Sequence, residues 1–172
     1  MRDILDLSGQ VLYSGASTLR PGEVYLLGLN PGGDPANPRL MTIRQSLDDL
    51  VSADDARREK NSYLVTWPSS NTLRRRVIWV LQRLGLSVDA VAASNLVFPR
   101  SRDEKSCQYE RYADACWAVH ERILEIVQPR LVIVYGNPPY RFLGERFGRA
   151  VDHHPEVVEW IRELSRASRR TN

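Results

Sequence analysis

Three asparagines stand at the ends of short apolar runs, where they could hold a polar group of a ligand. Asn30 closes the run VYLLGLN, Asn95 lies within VAASNLV, and Asn137 follows LVIVYG. Each presents a carboxamide, which can donate and accept hydrogen bonds but cannot ionise. Asparagine is also favoured in turns and before proline, so each position keeps a purely structural alternative.

The runs that carry these asparagines have the character of buried strands. Residues 24–29, 91–97 and 131–135 are short and almost purely apolar, which is typical of strands covered on both faces. Apolar stripes at helical spacing lie between and after them: Leu40, Ile43, Leu47, Leu50 and Val51; Leu73, Val77, Val80, Leu81 and Leu84 before Gly85; residues 107–127 before Pro129; a short helix with Phe142 and Leu143; and Val157, Ile161 and Leu164.

Alternating strands and helices predict a three-layer α/β/α fold with a short, mainly parallel central sheet, forming one domain over residues 1–172. Ligands of such sheets bind beyond the carboxyl ends of the strands, so the three asparagines are expected to meet at one edge. Residues 32–38 and 52–70 are rich in turn-forming or polar residues and are predicted to be loops. Connections of this length are uncommon unless they are functional.

The composition places limits on the class of protein. The chain has 172 residues, of which 42% are apolar and 26% charged, which is too apolar for general disorder. No run approaches the roughly 18 apolar residues of a membrane helix, and the N-terminus lacks the apolar centre of a signal peptide, so we expect a cytoplasmic monomer away from membranes. The net charge of +3 favours a polyanion only weakly.

The potential metal ligands do not form a recognisable motif. Cys107 and Cys116 are nine positions apart in a predicted helix, which argues against a disulfide between them. There is no CxxC or HExxH spacing. The sequence therefore predicts no metal and no cofactor.

The best-defined motif is Gly28-Leu29-Asn30-Pro31-Gly32, and Asn95-Leu96-Val97-Phe98-Pro99 follows at the end of the next predicted strand. The first is not a phosphate loop, because no lysine follows it. Together the two motifs resemble the uracil-DNA glycosylase superfamily, particularly its mismatch-specific and single-strand-selective branches, whose first motif has the form G-x-N-P-G. The resemblance extends from about residue 24 to residue 146 and implies a uracil-DNA-glycosylase-like fold.

The resemblance implies a role for each residue of these motifs. Asn95 would read the base, because a carboxamide can accept from uracil N3–H and donate to O4, whereas cytosine reverses this pattern. Asn30 would position a water at C1′ of the flipped nucleotide, and the backbone at Gly28, Pro31 and Gly32 would line the pocket. Phe98 would stack on the base, with a place in the core as its alternative. Asp34, the nearest carboxylate, would assist the water or serve only as a turn residue.

Cations and a further amide are expected to contact DNA beyond the pocket. Arg100 and Arg102 follow the second motif and would bind phosphates, unless they belong to a solvated loop of mixed charge. Asn137 would contribute at the third strand. The arginines at 74–76 begin a predicted helix, where a partner anion would relieve their repulsion with the helix dipole.

Members of this superfamily carry a further motif, whose histidine stabilises the departing base. Here the only candidates for this histidine motif are His153 and His154, followed by Pro155. The alternative for this pair is the first turn of a helix with Pro155 at its first position. No wedge residue follows to fill a vacated base stack, which favours single-stranded or mismatched DNA.

The expected function is therefore hydrolysis of the N-glycosidic bond of uracil or a related damaged base in DNA. One alternative is a non-catalytic module that binds a nucleobase or single-stranded DNA. A third possibility is an unrelated enzyme that acts on a small molecule, because a fold alone does not define a function.

Overall fold

The computed structural model describes residues 2–64 and 72–147. The chain divides into two compact units, residues 1–139 and residues 140–172. The sheet and the three asparagines belong to the first unit. A single domain over 1–172 stays a prediction, and the predicted last helix and the histidine pair lie outside the described residues.

Three short parallel strands form the sheet, as the apolar runs predict. Strand β1 is Val24–Gly28, β2 is Ala92–Asn95 and β3 is Leu131–Val134. Their order is β2-β1-β3, with both pairs parallel. The central strand β1 is buried along its whole length, and each buried leucine of such a strand contributes roughly 1.5–3 kcal/mol. The α/β class with a small parallel sheet is thus confirmed.

All but one of the described helices follow the predicted segments with shifted ends, and the exception is the short helix at residues 55–58. They are α1, Ile43–Leu50; α2, Asp55–Arg58; α3, Thr72–Arg83; α4, Tyr109–Val127; and α5, Asn137–Phe147, together with 3-10 turns at Arg2–Ile4 and Ala16–Thr18. Helix α1 begins with a capping box between Thr42 and Gln45, which satisfies amides that the first turn would leave unpaired. None of the helices in residues 2–64 and 72–147 has both the length and the apolar character to cross a membrane.

Several members of the predicted apolar stripes lie at the surface. Val51 follows the end of α1 and is 83% exposed, while Leu73 and Leu84 are about half exposed. Val77 and Leu81 are buried and make the actual contact face of α3. The stripes are therefore correct in period but too wide, because Val51 and Leu84 lie beyond the ends of their helices and Leu73 lies in the first turn of α3, away from its buried face.

The region predicted as a loop at residues 52–70 contains structure. Helix α2 lies within it, and Tyr63 is buried and belongs to the core. Asn61 donates to the carbonyl of Val88 and accepts from the Tyr63 amide, which fixes the turn that carries this ring. Residues 65–71 lie outside the described part of the chain.

The two faces of the sheet carry different contacts. On one face, Leu26 of β1 and Ala93 of β2 pack with Val77 and Leu81 of α3. On the other face, the Tyr25 hydroxyl bonds to His120 of α4. Side chains alternate between the faces of a strand, so Gly28 and Asn95 belong to the α3 face. Helical layers on both faces of the sheet are the arrangement expected from the sequence.

The N-terminal segment covers the outer edge of β2. Leu12 forms an antiparallel bridge with Ser94, and Gly9 forms another with Pro99. The Tyr13 amide donates to the Ala93 carbonyl over 2.7 Å. These contacts place Tyr13 beside the end of β2, which the sequence did not indicate.

Candidate functional site

A row of three residues crosses the carboxyl end of the sheet on the α3 face. Gly28 pairs with Asn95 of β2, and Tyr135 follows β3 directly on its other side. A Cβ built on Gly28 would lie 2.4 Å from Oδ1 of Asn95 and 2.6 Å from the Tyr135 ring. No side chain fits at such distances, so Gly28 allows the carboxamide and the ring to approach each other. The space above Gly28 is thus taken by two of the protein's own side chains, and its role in lining a ligand pocket stays a prediction.

The Asn95 carboxamide contains a buried donor without a hydrogen bond. The residue is 3% exposed, and its Nδ2 has no hydrogen-bond partner among the described residues. An unsatisfied buried polar group costs about 1–3 kcal/mol. Such a group is rare in folded proteins and calls for an explanation. A ligand that supplies an acceptor is one such explanation.

Three tyrosines form a cluster next to this amide. The hydroxyls of Tyr63 and Tyr135 share a hydrogen bond, and the rings of Tyr13 and Tyr63 lie 6.0 Å apart. Burial raises the pKa of both Tyr63 and Tyr135, so these hydroxyls remain neutral. Because the three residues lie far apart in the sequence, only the position of Tyr135 after a predicted strand could have suggested a role for the cluster.

The Tyr13 hydroxyl lies among groups that donate hydrogen bonds. Burial raises the pKa of Tyr13, and the Arg100 guanidinium, the Asn95 amide and the Gly32 backbone amide act in the opposite direction. The Asn95 amide is thus close enough to influence this oxygen, yet Nδ2 does not complete a hydrogen bond with it.

The Asn30 carboxamide has a defined orientation. Its Nδ2 donates to the Pro31 carbonyl and to Oγ of Ser101, both at 2.8 Å. A carbonyl can only accept, so the nitrogen of the amide must be the atom that faces it. Both donors are then used, and Oδ1 accepts no hydrogen bond from the described residues. This oxygen is free to hold a water or a ligand donor.

The loop after β1 is fixed by the segment after β2. The Ser101 amide donates to the Pro31 carbonyl over 3.1 Å, and Gly32 pairs with Ser101 in an isolated parallel bridge. The Arg100 guanidinium donates to the Gly32 carbonyl and to Oγ of Ser8. Pro31 is buried, whereas Gly32 is exposed with open space around its Cα. The two sequence motifs therefore form one structural unit.

Phe98 is a core residue, the alternative that its sequence position left open. It is fully buried, with its ring 5.2 Å from the imidazole of His120. His120 contacts Tyr25, so Phe98 packs on the α4 side of the sheet and offers no free ring surface for a base. The odd separation of Asn95 and Phe98 could have shown this, because such a separation in an extended chain places two side chains on opposite faces. The ring beside the Asn95 amide is that of Tyr135.

The residues predicted to contact DNA lie at the carboxyl edge of the sheet, and both arginines among them have partners within the protein. Arg100 is half-buried and holds the β1 loop, while Arg102 is exposed and forms an ion pair with Asp34 at 3.1 Å. A hydrogen bond from the Ala36 amide lowers the pKa of Asp34, and Arg102 adds to this effect. Asp34 is therefore an ionised turn residue. Asn137 is exposed at the start of α5.

The predicted histidine motif cannot be placed, because His153 and His154 lie outside the described residues. Within residues 2–64 and 72–147 there is no cluster of three or more metal-binding side chains. The comparisons with protein families, with curated proteins and with solved structures find no match to this chain. The functional argument therefore depends on the geometry of the site and on the two sequence motifs.

Proposed function

We propose that the protein recognises uracil or a related damaged pyrimidine in DNA and hydrolyses its N-glycosidic bond. The observation that carries this proposal is the buried, unpaired Nδ2 of Asn95 beside Gly28. Uracil O4 is an acceptor that would satisfy this donor, while uracil N3–H would donate to Oδ1 of the same side chain. Cytosine presents the opposite pattern and would leave both atoms without a partner.

The orientation of Asn30 supports the hydrolytic step. Because its nitrogen is held by Pro31 and Ser101, its oxygen can accept a hydrogen bond from a water without any rotation of the side chain. An amide is a poor base, so its contribution would be to position the water for attack at C1′. The stabilisation of the departing base anion would come from donors around its oxygens, such as the Gly32 amide and the Arg100 guanidinium.

Tyr135 takes the stacking role in this proposal. Its ring lies over Gly28, next to the carboxamide that would read the base. Stacking on an aromatic ring contributes roughly 1–3 kcal/mol per base in nucleic-acid proteins. A base placed on this ring would reach Nδ2 of Asn95 after the Tyr13 hydroxyl moves away. We expect single-stranded or mismatched DNA as the partner, a monomeric protein and a cytoplasmic location.

A non-catalytic nucleobase-binding module is the second candidate, and the state of Asp34 favours it. This carboxylate is tied to Arg102 and to the Ala36 amide, so it is poorly suited to accept a proton from a water. The same pocket would then bind the base without cleaving its bond. The two candidates share Asn95 and differ in whether Asn30 acts on a water.

The test uses a labelled single-stranded oligonucleotide with one uracil, followed by alkali to cleave any abasic site. We expect strand scission, with a loss of about 100-fold in Asn30→Ala because the water is no longer positioned. Asn95→Ala should reduce the preference for uracil over cytosine by about 5- to 150-fold, the equivalent of about 1–3 kcal/mol. Asn37→Ala is the matched control, because Asn37 is an exposed asparagine of the same loop whose Oδ1 bonds only within its turn.

The outcomes separate the candidates. Uracil-selective binding that Asn95→Ala abolishes, without scission by the unmodified protein, would select the binding module. Neither scission nor uracil-selective binding at high protein concentration would overturn both candidates. Equal losses in Asn30→Ala and Asn37→Ala would show that the loop, and not the Asn30 oxygen, is responsible.

A further inference from the structure

A cavity lies next to the candidate base site. Its volume is about 580 Å³, within the range of about 300–1,000 Å³ that is usual for small-molecule sites. Its wall includes Ser101, the residue that accepts a hydrogen bond from Asn30. The cavity is built entirely from the first unit of the chain, and the base-recognition proposal uses only Arg100 and Ser101 from its wall.

Among the charged side chains that line this cavity, which are Asp6, Arg100 and Arg102, one arginine has no carboxylate partner. Asp6 pairs with Arg44 and Arg102 pairs with Asp34, so these groups neutralise each other. Arg100 also lines the cavity, and it bonds only to a hydroxyl and a backbone carbonyl. Within the described residues no carboxylate pairs with it. An anionic group in the cavity would supply the missing countercharge.

The remaining wall of the cavity is partly apolar and includes one aromatic ring. Leu7, Val97, Pro99 and the ring of Tyr112 supply apolar surface. The Arg111 guanidinium lies 5.1 Å from the centre of the Tyr112 ring, which brings a second cation close to the wall. Ligand pockets of this kind combine an apolar lining with a few polar groups that orient the ligand.

We propose that this cavity binds one nucleotide unit, with its base against Tyr112 and its phosphate near Arg100. The ligand chemistry is that of an aromatic ring joined to an anionic group. A free nucleoside monophosphate and a nucleotide of a DNA strand both have this chemistry. A DNA strand seated here would pass Ser101 on its way to Asn30, so the cavity would hold a nucleotide next to the one that is read.

A cysteine in the wall offers a direct assay. Cys107 lines the cavity and is half-buried, whereas Cys116 is fully buried. Burial raises the pKa of Cys107, so its alkylation is measured at alkaline pH. If only the free protein reacts, deoxyadenosine monophosphate at about ten times its Kd slows alkylation about tenfold. The variant Cys107→Ser identifies the labelled residue.

Variants and ligands identify the chemistry of the site. Deoxyadenosine without phosphate should protect Cys107 less than the monophosphate does, and Arg100→Gln should remove this difference while Arg100→Lys retains it. Tyr112→Leu should weaken protection by both compounds. Arg130→Gln is the matched control, because Arg130 is an exposed arginine paired with Glu23 at the opposite end of the sheet. Asn95→Ala should leave protection unchanged, which separates this proposal from the base-recognition proposal.

The outcomes are distinct. Protection by the monophosphate alone assigns the cavity to free nucleotides, and protection by a uracil-free oligonucleotide as well assigns it to DNA. No protection by either, or equal protection by inorganic phosphate, overturns the proposal. Protection by the oligonucleotide alone also overturns it, because coverage of the surface by a long strand would then explain the result.

Discussion

On each face of the sheet a polar side chain is buried close to the end of β2, and these two residues, His120 and Asn95, differ in how their hydrogen bonds are satisfied. On the α4 face, His120 is fully buried; Nδ1 lies 2.8 Å from the Tyr25 hydroxyl and Nε2 lies 3.1 Å from the Leu96 carbonyl. A carbonyl accepts, so Nε2 carries the proton and Nδ1 accepts from Tyr25. Every polar atom of this imidazole therefore has a partner.

On the α3 face, the Asn95 amide is almost as deeply buried, but Nδ2 has no hydrogen bond within the described residues. Folding gains nothing from this donor, whereas the same burial of His120 is compensated by two hydrogen bonds. A polar group that is buried at a cost to stability is more informative about function than a satisfied one. Of these two residues, the comparison favours Asn95 as the candidate functional residue and gives His120 a structural role.

The largest expected difference between the two residues is in the free energy of unfolding after each is replaced by alanine. His120→Ala should lower the free energy of unfolding by about 2–5 kcal/mol, because it removes two hydrogen bonds and leaves a cavity next to Phe98 and Trp117. Asn95→Ala should change it by no more than about 1 kcal/mol, since an unpaired donor is lost. Urea unfolding measures both. Equal losses would contradict the assignment of the two roles.

A smaller loss is expected from Gly28→Ala, which tests the row of residues across the sheet. The added Cβ would meet both Asn95 and Tyr135, so we expect a loss of about 1–3 kcal/mol. Gly22→Ala is the control, since its nearest neighbour would be 3.7 Å away. Combining Gly28→Ala with Asn95→Ala should recover part of the loss by removing one of the two clashes. No recovery would mean that Tyr135 alone limits the space.

The pH dependence of stability should follow His120. Burial lowers its pKa from 6.5 to about 4, so between these values the unfolded chain binds more protons than the folded one. Stability is then complete above this range and falls as the pH drops through it, with a slope approaching about 1.4 kcal/mol per pH unit. The difference between the unmodified protein and His120→Phe isolates this contribution from the carboxylates. If the difference in stability between these two proteins stayed constant from pH 6.5 to 4, the role of His120 would be contradicted. Asn95→Ala should show the same slope of stability against pH as the unmodified protein.

The parts of the fold that the sequence predicted depend on local patterns. The apolar runs gave the three strands, and the first motif gave a strand end at Gly28, because both signals lie within a few residues. The presence of Asn95 at the same edge as the first motif followed from the expectation that parallel strands end at one edge, whereas its register opposite Gly28 came from the structure. These local features set the frame of the candidate site.

The rest of the site depends on contacts between distant segments. Tyr13 lies in a segment for which no element was predicted, and Tyr63 lies in a predicted loop, yet both rings reach the end of the sheet. No spacing within a sequence window contains this information. The unpaired state of the Asn95 donor is likewise a property of the packed structure. Only the exclusion of Phe98 could have been derived in advance, from the alternation of side chains.

The smallest effect tests whether the arginines at the carboxyl edge bind phosphate. Arg102 is exposed and its ion pair with Asp34 is accessible to solvent, so Arg102→Gln should leave stability almost unchanged. If Arg102 contacts one phosphate of single-stranded DNA, the slope of log affinity against log salt should become shallower by about 0.7. Arg130→Gln removes a similarly exposed, paired arginine from the opposite end of the strands and should leave the slope as it is. The same change of slope in both variants would show that DNA affinity depends on the total charge of the protein and not on contacts at this edge of the sheet.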